Sequence, residues 1–190
     1  NYFLNFIIEI IFILGIVNSI NLIDGIDYLA SGISIIISIS FIFIFNLGGY
    51  NNALFFYILI GCLLAHMVYN LFFGRVFLGD SGSLFLGWVF SISSLLFMKH
   101  ESNLSIHIPL LIIGIPAFDV LYVMANRFFK TKDPEILKRF NNMFSSDHSH
   151  IHHSLKAAGF NNKNICFILC YISILFSLIS FLIFVYIENY

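Results

Sequence analysis

Three short polar clusters interrupt an otherwise apolar chain, and each carries residue types suited to a phosphate or a cation. The run Phe77-Leu78-Gly79-Asp80-Ser81-Gly82-Ser83 sets one carboxylate between glycines, where a cation can approach without crowding. Mg²⁺ favours one or two carboxylates, completed by waters and phosphate oxygens. The flanking Gly and Ser could also present backbone N–H groups to a phosphate at a helix start. The same residues equally spell an N-capping turn before a helix beginning near Leu84. In Asn21-Leu22-Ile23-Asp24-Gly25-Ile26-Asp27, the side chains of Asn21, Asp24 and Asp27 recur every three residues. They span roughly a third of a helix circumference and could converge on a nucleobase, a sugar or a cation. The alternative is a solvated loop with a helix ending at Gly25; the ligand ladder of a calcium loop is absent. The third cluster, Ser149-His150-Ile151-His152-His153, offers imidazoles that can ligate a metal, donate to phosphate or shuttle a proton. Apart from Asp147, no zinc-like partner is spaced nearby, and an exposed loop is the competing reading. Asp119 lies within an apolar segment, where an ionisable residue is costly and points to function. It could line the site or pair with Arg127.

The elements that must position these clusters are membrane helices. The 190 residues are 59% hydrophobic and 10% charged, against about 25% charged in soluble domains, and mean hydropathy is +0.94. Spanning a bilayer takes about 20 apolar residues. Six stretches approach that length, at about 2–20, 31–47, 54–70, 84–98, 107–128 and 165–187. They lack the period-2 alternation of barrel strands, so the expected fold is all-α, a polytopic helix bundle forming a single membrane domain. Five connections follow, at about 21–30, 48–53, 71–83, 99–106 and 129–164.

Basic residues orient the bundle. Eight of the nine, namely Arg75, Arg127, Lys130, Lys132, Lys138, Arg139, Lys156 and Lys163, fall in or beside the first, third and fifth connections, and only Lys99 in an even one. The positive-inside rule places the odd connections in the cytoplasm. All three polar clusters lie in those connections, so the expectation is one site on one membrane face. Lys138, Arg139 and Lys156 would attract a polyanionic substrate or anionic headgroups. No nucleic-acid partner is implied.

Other features are read as packing. Cys166 and Cys170 share a helix face at i,i+4 and are taken as small buried residues rather than a metal or redox pair. Glu9 and His66 fall in apolar segments, where a helix–helix hydrogen bond, or for Glu9 an artefact of truncation, is the favoured reading. The first apolar stretch lacks the basic start and cleavage site of a signal peptide. With no initial Met, the chain is read as a truncation lacking upstream helices of a roughly ten-helix protein.

Taken together and in this order, the clusters resemble the polyprenyl-phosphate N-acetylhexosamine-1-phosphate transferase family. The matching runs are Asn21–Gly32, Phe77–Gly87, Pro116-Ala117-Phe118-Asp119 and Ser149–His153, across about residues 15 to 160. The family includes enzymes that start peptidoglycan lipid intermediates, O-antigen and teichoic acid linkage units. The resemblance implies a multi-pass protein of the bacterial inner membrane with its active site on the cytoplasmic face. It implies attack of undecaprenyl phosphate on a UDP-N-acetylhexosamine, with release of UMP. Asp80 would bind Mg²⁺, or Mn²⁺ in its place. Asn21, Asp24 and Asp27 would line the nucleotide pocket, with Phe77 against the uracil. His152 and His153, with His150, would contact the diphosphate or position the loop, and Asp119 and Arg127 would support them. A homodimer is compatible with this reading. His-Ile-His-His looks more like the branch using UDP-N-acetylglucosamine than the muropeptide branch, which has three consecutive histidines. Two departures stand out: no paired aspartates precede Asn21, and position 28, often Gly in the family, is Tyr. A catalytically inactive membrane subunit is therefore one alternative. A transporter with a relay through Asp119, Glu9 and His66 is another.

Overall fold

The computed structural model describes residues 2–26, 28–49, 53–73, 76–100, 107–130 and 151–188, excepting the side chains of residues 71, 100, 127, 130 and 188. Asp27 and His150 lie outside the described residues, as do Arg75, Lys132, Lys138, Arg139 and the Arg127 side chain.

The architecture is an all-α membrane bundle, with no strand among the described residues. Its elements are α1 (Tyr2–Ile23), α2 (Leu29–Leu47), α3 (Ala53–Phe73), α4 (Gly79–His100), α5 (His107–Ile112), α6 (Gly114–Lys130), α7 (Ile151–Ala157) and α8 (Asn162–Glu188). Five of these, α1 to α4 and α8, are long and apolar enough to cross a membrane. A helix satisfies its backbone polar groups internally, as the hydrocarbon core requires. Serine is tolerated in these helices because its hydroxyl can return to a carbonyl one turn back. Ser38, Ser40, Ser93 and Ser94 donate in this way to Ser34, Ile36, Val89 and Phe90.

The fifth expected segment is broken into α5 and α6 at Ile113. Pro116 has no N–H to donate to the Ile112 carbonyl, and it sits in the first turn of α6, where that loss is harmless. The Ile113 N–H reaches Pro109 O at 3.0 Å and the Ala117 N–H reaches Ile113 O at 3.1 Å, so the chain keeps turning through the break. The fourth segment gains length instead. It begins at Gly79, so Asp80 lies in the first turn of a helix and not in the preceding loop.

Lipid supplies no hydrophobic drive between helices, so association rests on packing. Phe41 of α2 stacks on Phe56 of α3 and Phe90 of α4, with centroids 5.3 and 6.4 Å apart. Such pairs contribute about 0.5–1.5 kcal/mol each. Helix α2 packs between α3 and α8, while α1 lies along α4. The α1/α4 pair is antiparallel: Asn21 meets Asp80 near one end, and Glu9 approaches Lys99 at 3.8 Å near the other. Their crossing is close at Gly87. A Cβ there would sit 2.5 Å from Val17 Cα, closer than side-chain carbons come to backbone, and a tight 3.1 Å from Val17 O. His66 makes the interhelical contact expected of it, with Nδ1 3.0 Å from Ser31 Oγ. Cys166 and Cys170 lie with their sulfurs 4.0 Å apart on α8.

Candidate active site

The site begins where α1 ends. Asn21, in the last turn of α1, donates its side-chain amide to Asp80 Oδ1 at 3.0 Å and to Ser83 Oγ at 2.8 Å. Ser83 in turn donates to Gly79 O at 2.8 Å. Just beyond α1, Asp24 Oδ2 accepts the Gly79 N–H at 2.8 Å. Gly79 is the first residue of α4, so Asp24 caps that helix from another loop, satisfying one of the donors every helix start leaves open. Asp80 is exposed in the same first turn, where the helix field favours negative charge. Burial pushes the Asp24 carboxyl above its ordinary value. Hydrogen bonds from the Gly79 and Leu78 N–H groups and the nearby His66 oppose that shift, and the Asp80 carboxylate adds to it.

The turn ahead of Asp80 is held from below. Asn70, buried in the last turn of α3, donates to Val76 O at 2.6 Å and accepts the Val76 N–H. Tyr28 ties this turn to the first loop, its hydroxyl donating to Asn70 O at 3.3 Å. Tyr28 itself has φ +69°, the left-handed region that favours glycine. The Phe77 side chain is 48% exposed, so its ring is accessible to a planar ligand.

The histidines arrive on α7. His152 is 4% exposed and packs against Gly25, where a side-chain carbon would lie 3.2 Å from His152 Nε2. The His153 ring is tilted against it, with centroids 4.2 Å apart. Both ends of α7 are fixed. At its start, Asp119 Oδ1 of α6 accepts the Ile151 N–H at 2.7 Å. At its end, the Phe160 N–H reaches Leu155 O and the Gly159 N–H reaches Lys156 O, with Gly159 at φ +94°. This pattern closes a helix with a left-handed residue just past its end. Asn161 Oδ1 then accepts the Asn164 N–H at 2.8 Å and starts α8.

Asn21, Asp24, Asp80 and His152 therefore gather at one end of the bundle, joined through Gly25 and Gly79. Asp119 stands behind them, holding α7. Among the described residues, no three His, Cys, Asp or Glu side chains converge on one point. The exposed Asp80 is the carboxylate best placed for an ion shared with substrate oxygens.

A family model described as Glycosyl transferase family 4 matches residues 1–98, just over half of the 190 residues. The chain belongs to glycosyl transferase family 4. The stretch matched to glycosyl transferase family 4 holds Asn21, Asp24, Phe77 and Asp80, while Asp119 and His152 lie beyond it. A relative from Bacillus subtilis (strain 168) is 36% identical over 174 residues, 90% of this chain and 46% of the relative. It is named a probable undecaprenyl-phosphate N-acetylglucosaminyl 1-phosphate transferase. A phospho-N-acetylmuramoyl-pentapeptide-transferase from Clostridium novyi (strain NT) is 32% identical over 170 residues, 87% of this chain and 47% of that protein. The chain thus spans about half the length of the curated relatives it matches.

Two residues that shape this glycosyl transferase family 4 site, Asn70 and Gly87, escape sequence reasoning, and two more, Ser83 and Gly25, are seen in it without their partners. Asn70 meets Val76 across the turn six residues on, and Gly87 meets Val17 on another helix; Ser83 and Gly25, visible only as turn residues, meet Asn21 and His152 far away in sequence. The signal that could have found Asn70 was a lone amide in the last turn of an apolar helix, seven residues before Phe77.

Proposed function

We propose that the protein transfers N-acetylhexosamine-1-phosphate from a UDP-sugar to undecaprenyl phosphate, acting at the cytoplasmic face of the bacterial inner membrane. The observation that carries this reading is the meeting of three sequence-distant polar clusters at one end of a membrane bundle: Asn21 on Asp80, Asp24 on Gly79, and His152 on Gly25. The names of the two relatives, both transferases of phosphorylated sugars, support it.

In the proposed reaction, a phosphate oxygen of the lipid forms a bond to the β-phosphorus of the UDP-sugar. The bond from that phosphorus to the bridging oxygen breaks, and UMP leaves with the electron pair. Such transfers depend on positioning and charge neutralisation more than on covalent help from the protein. Asn21 fixes the Asp80 carboxylate, and Asp24 fixes the helix start that carries it. Phe77 offers a ring face to the uracil, and His153 serves the diphosphate while the buried His152 beside it holds the loop against Gly25. The donor set fits Mg²⁺, or Mn²⁺ in its place: Asp80 is exposed, and a second carboxylate, Asp24, is held beside it on the Gly79 N–H. When bound, the ion would neutralise charge on the diphosphate.

The test is UMP release by the full-length protein from UDP-N-acetylglucosamine and undecaprenyl phosphate, with and without Mg²⁺. Turnover should require both lipid and metal, and Asp80→Asn should lower kcat by roughly a hundredfold or more. Full activity in Asp80→Asn would overturn the role of that carboxylate. Silence with every UDP-sugar tried would overturn the reaction.

A further inference from the structure

The histidine-bearing helix is too short to stand alone. Helix α7 has seven residues, whereas isolated helices below about 12–15 residues are marginal in water. Something outside it must hold it in place. Its C-terminal end is closed locally by the Gly159 turn, and Ile151 and Leu155 give it apolar packing against the core, which fixes no direction for its start. At its N-terminal end, the Ile151 N–H is accepted by Asp119, 32 residues away on α6. Asp119 is 3% exposed and lies three residues beyond Pro116, just past the break in the fifth span. The next two side chains after Ile151 are His152 and His153.

From this geometry we infer that Asp119 is a positioning residue for the proposed reaction: its carboxylate oxygen anchors the start of α7 and thereby holds His152 against Gly25. The inference rests on the reading of His152 and His153 as site residues, but the anchoring can be tested apart from activity. For the start of α7, the part that matters is the acceptor oxygen Oδ1. A neutral amide oxygen in the same position would serve, and removal of the Ile151 donor would have the same effect as removal of Asp119. Proline at position 151 is a mild way to remove that donor, because the first residue of a helix has no intrahelical partner for its N–H and accepts the fixed φ of proline.

The experiment uses the full-length protein in nanodiscs, with Cys62, Cys166 and Cys170 replaced by alanine. Nitroxides are placed at Ser154, exposed on α7, and at Leu47, exposed at the far end of α2. Electron–electron resonance then gives the distance distribution between them. The original residue and Asp119→Asn should give one narrow distribution. Asp119→Ala and Ile151→Pro should each give a broadened or displaced one, and the double variant should be no worse than either alone. If Asp119→Ala fails to fold, Ile151→Pro still decides, since it leaves Asp119 in place. In the UMP assay, Asp119→Ala should lower kcat about tenfold, the scale of a lost helix cap, with KM for the UDP-sugar little changed. Asp119→Asn should recover most of that loss. Unchanged distances in both Asp119→Ala and Ile151→Pro would overturn the inference. So would an Asp119→Asn distribution as broad as that of Asp119→Ala, because charge and not the acceptor would then be at work. The distances read the same whether or not the protein turns over these substrates, so failure of the proposed reaction is separable.

Discussion

Asn21 donates to the Asp80 carboxylate at 3.0 Å across 59 residues of sequence. This single contact joins the end of one membrane span to the start of another. It also fixes one oxygen of the carboxylate proposed to meet the substrate's ion.

Asn21→Asp replaces that donor with a second acceptor. Two carboxylates this close cannot both be ionised without a proton or cation between them. The variant should melt below the parent in chelator and recover most of the difference in Mg²⁺. Scanning fluorimetry in nanodiscs checks this. Equal melting in both conditions would show that no ion reaches Asp80.

Gly87→Ala places a carbon against the α1 backbone. Overpacking of this kind costs about 1–3 kcal/mol. Because α1 and α4 must separate, the loss should appear in activity as well as in stability. A variant that is destabilised yet keeps full kcat would show that the crossing does not set the Asn21–Asp80 contact.

Tyr28 combines two opposing effects. The left-handed backbone costs about 1–2 kcal/mol in a non-glycine residue, and the bond to Asn70 O returns about 1 kcal/mol. Tyr28→Gly should therefore be close to neutral, whereas Tyr28→Phe keeps the strain and should lose roughly 1 kcal/mol. Equal stability of the Phe variant and the parent in denaturant titration would remove the hydrogen bond from the account.

Asp24 supplies the pH dependence. Its carboxyl is raised above 3.8 in the folded protein, chiefly by burial. The folded state therefore holds this proton more tightly than the unfolded chain does. The stabilisation is complete below about pH 3.8 and is lost as pH rises through the folded value. At neutral pH the ionised group is a cost that Asp24→Asn removes, while the amide oxygen can still accept from Gly79. The stability of Asp24→Asn relative to the parent should rise with pH from about 4 and then level off. A flat difference in melting temperature across that window would contradict the burial argument.

The spans were legible because run length and hydropathy are properties of consecutive residues. The gathering of Asn21 and Asp24 with Asp80 was legible for a related reason: counting spans puts their loops at one end. The break at Ile113 was written in Pro109 and Pro116, but apolar length alone cannot see a missing N–H. Asp119 stood out as a carboxylate in an apolar run, yet its bond to α7 goes to a backbone group, which leaves no mark in the sequence. Gly87 and Asn70 were hidden because a small residue and an amide acquire meaning only from the neighbour they meet. Glu9, read as a helix–helix contact, does face Lys99 across α1 and α4.

The close crossing at Gly87 acts as a fulcrum. Along α4 it lies seven residues from Asp80 and twelve from Lys99, roughly 10 and 18 Å. Along α1, Val17 is four residues from Asn21 and eight from Glu9, roughly 6 and 12 Å. The polar end is the short arm of both levers. A change in bilayer thickness that tilts the long arms reaches Asn21 and Asp80 reduced to about half. The membrane can breathe around this pair of helices while the carboxylate at their short end moves only about half as far as the other end.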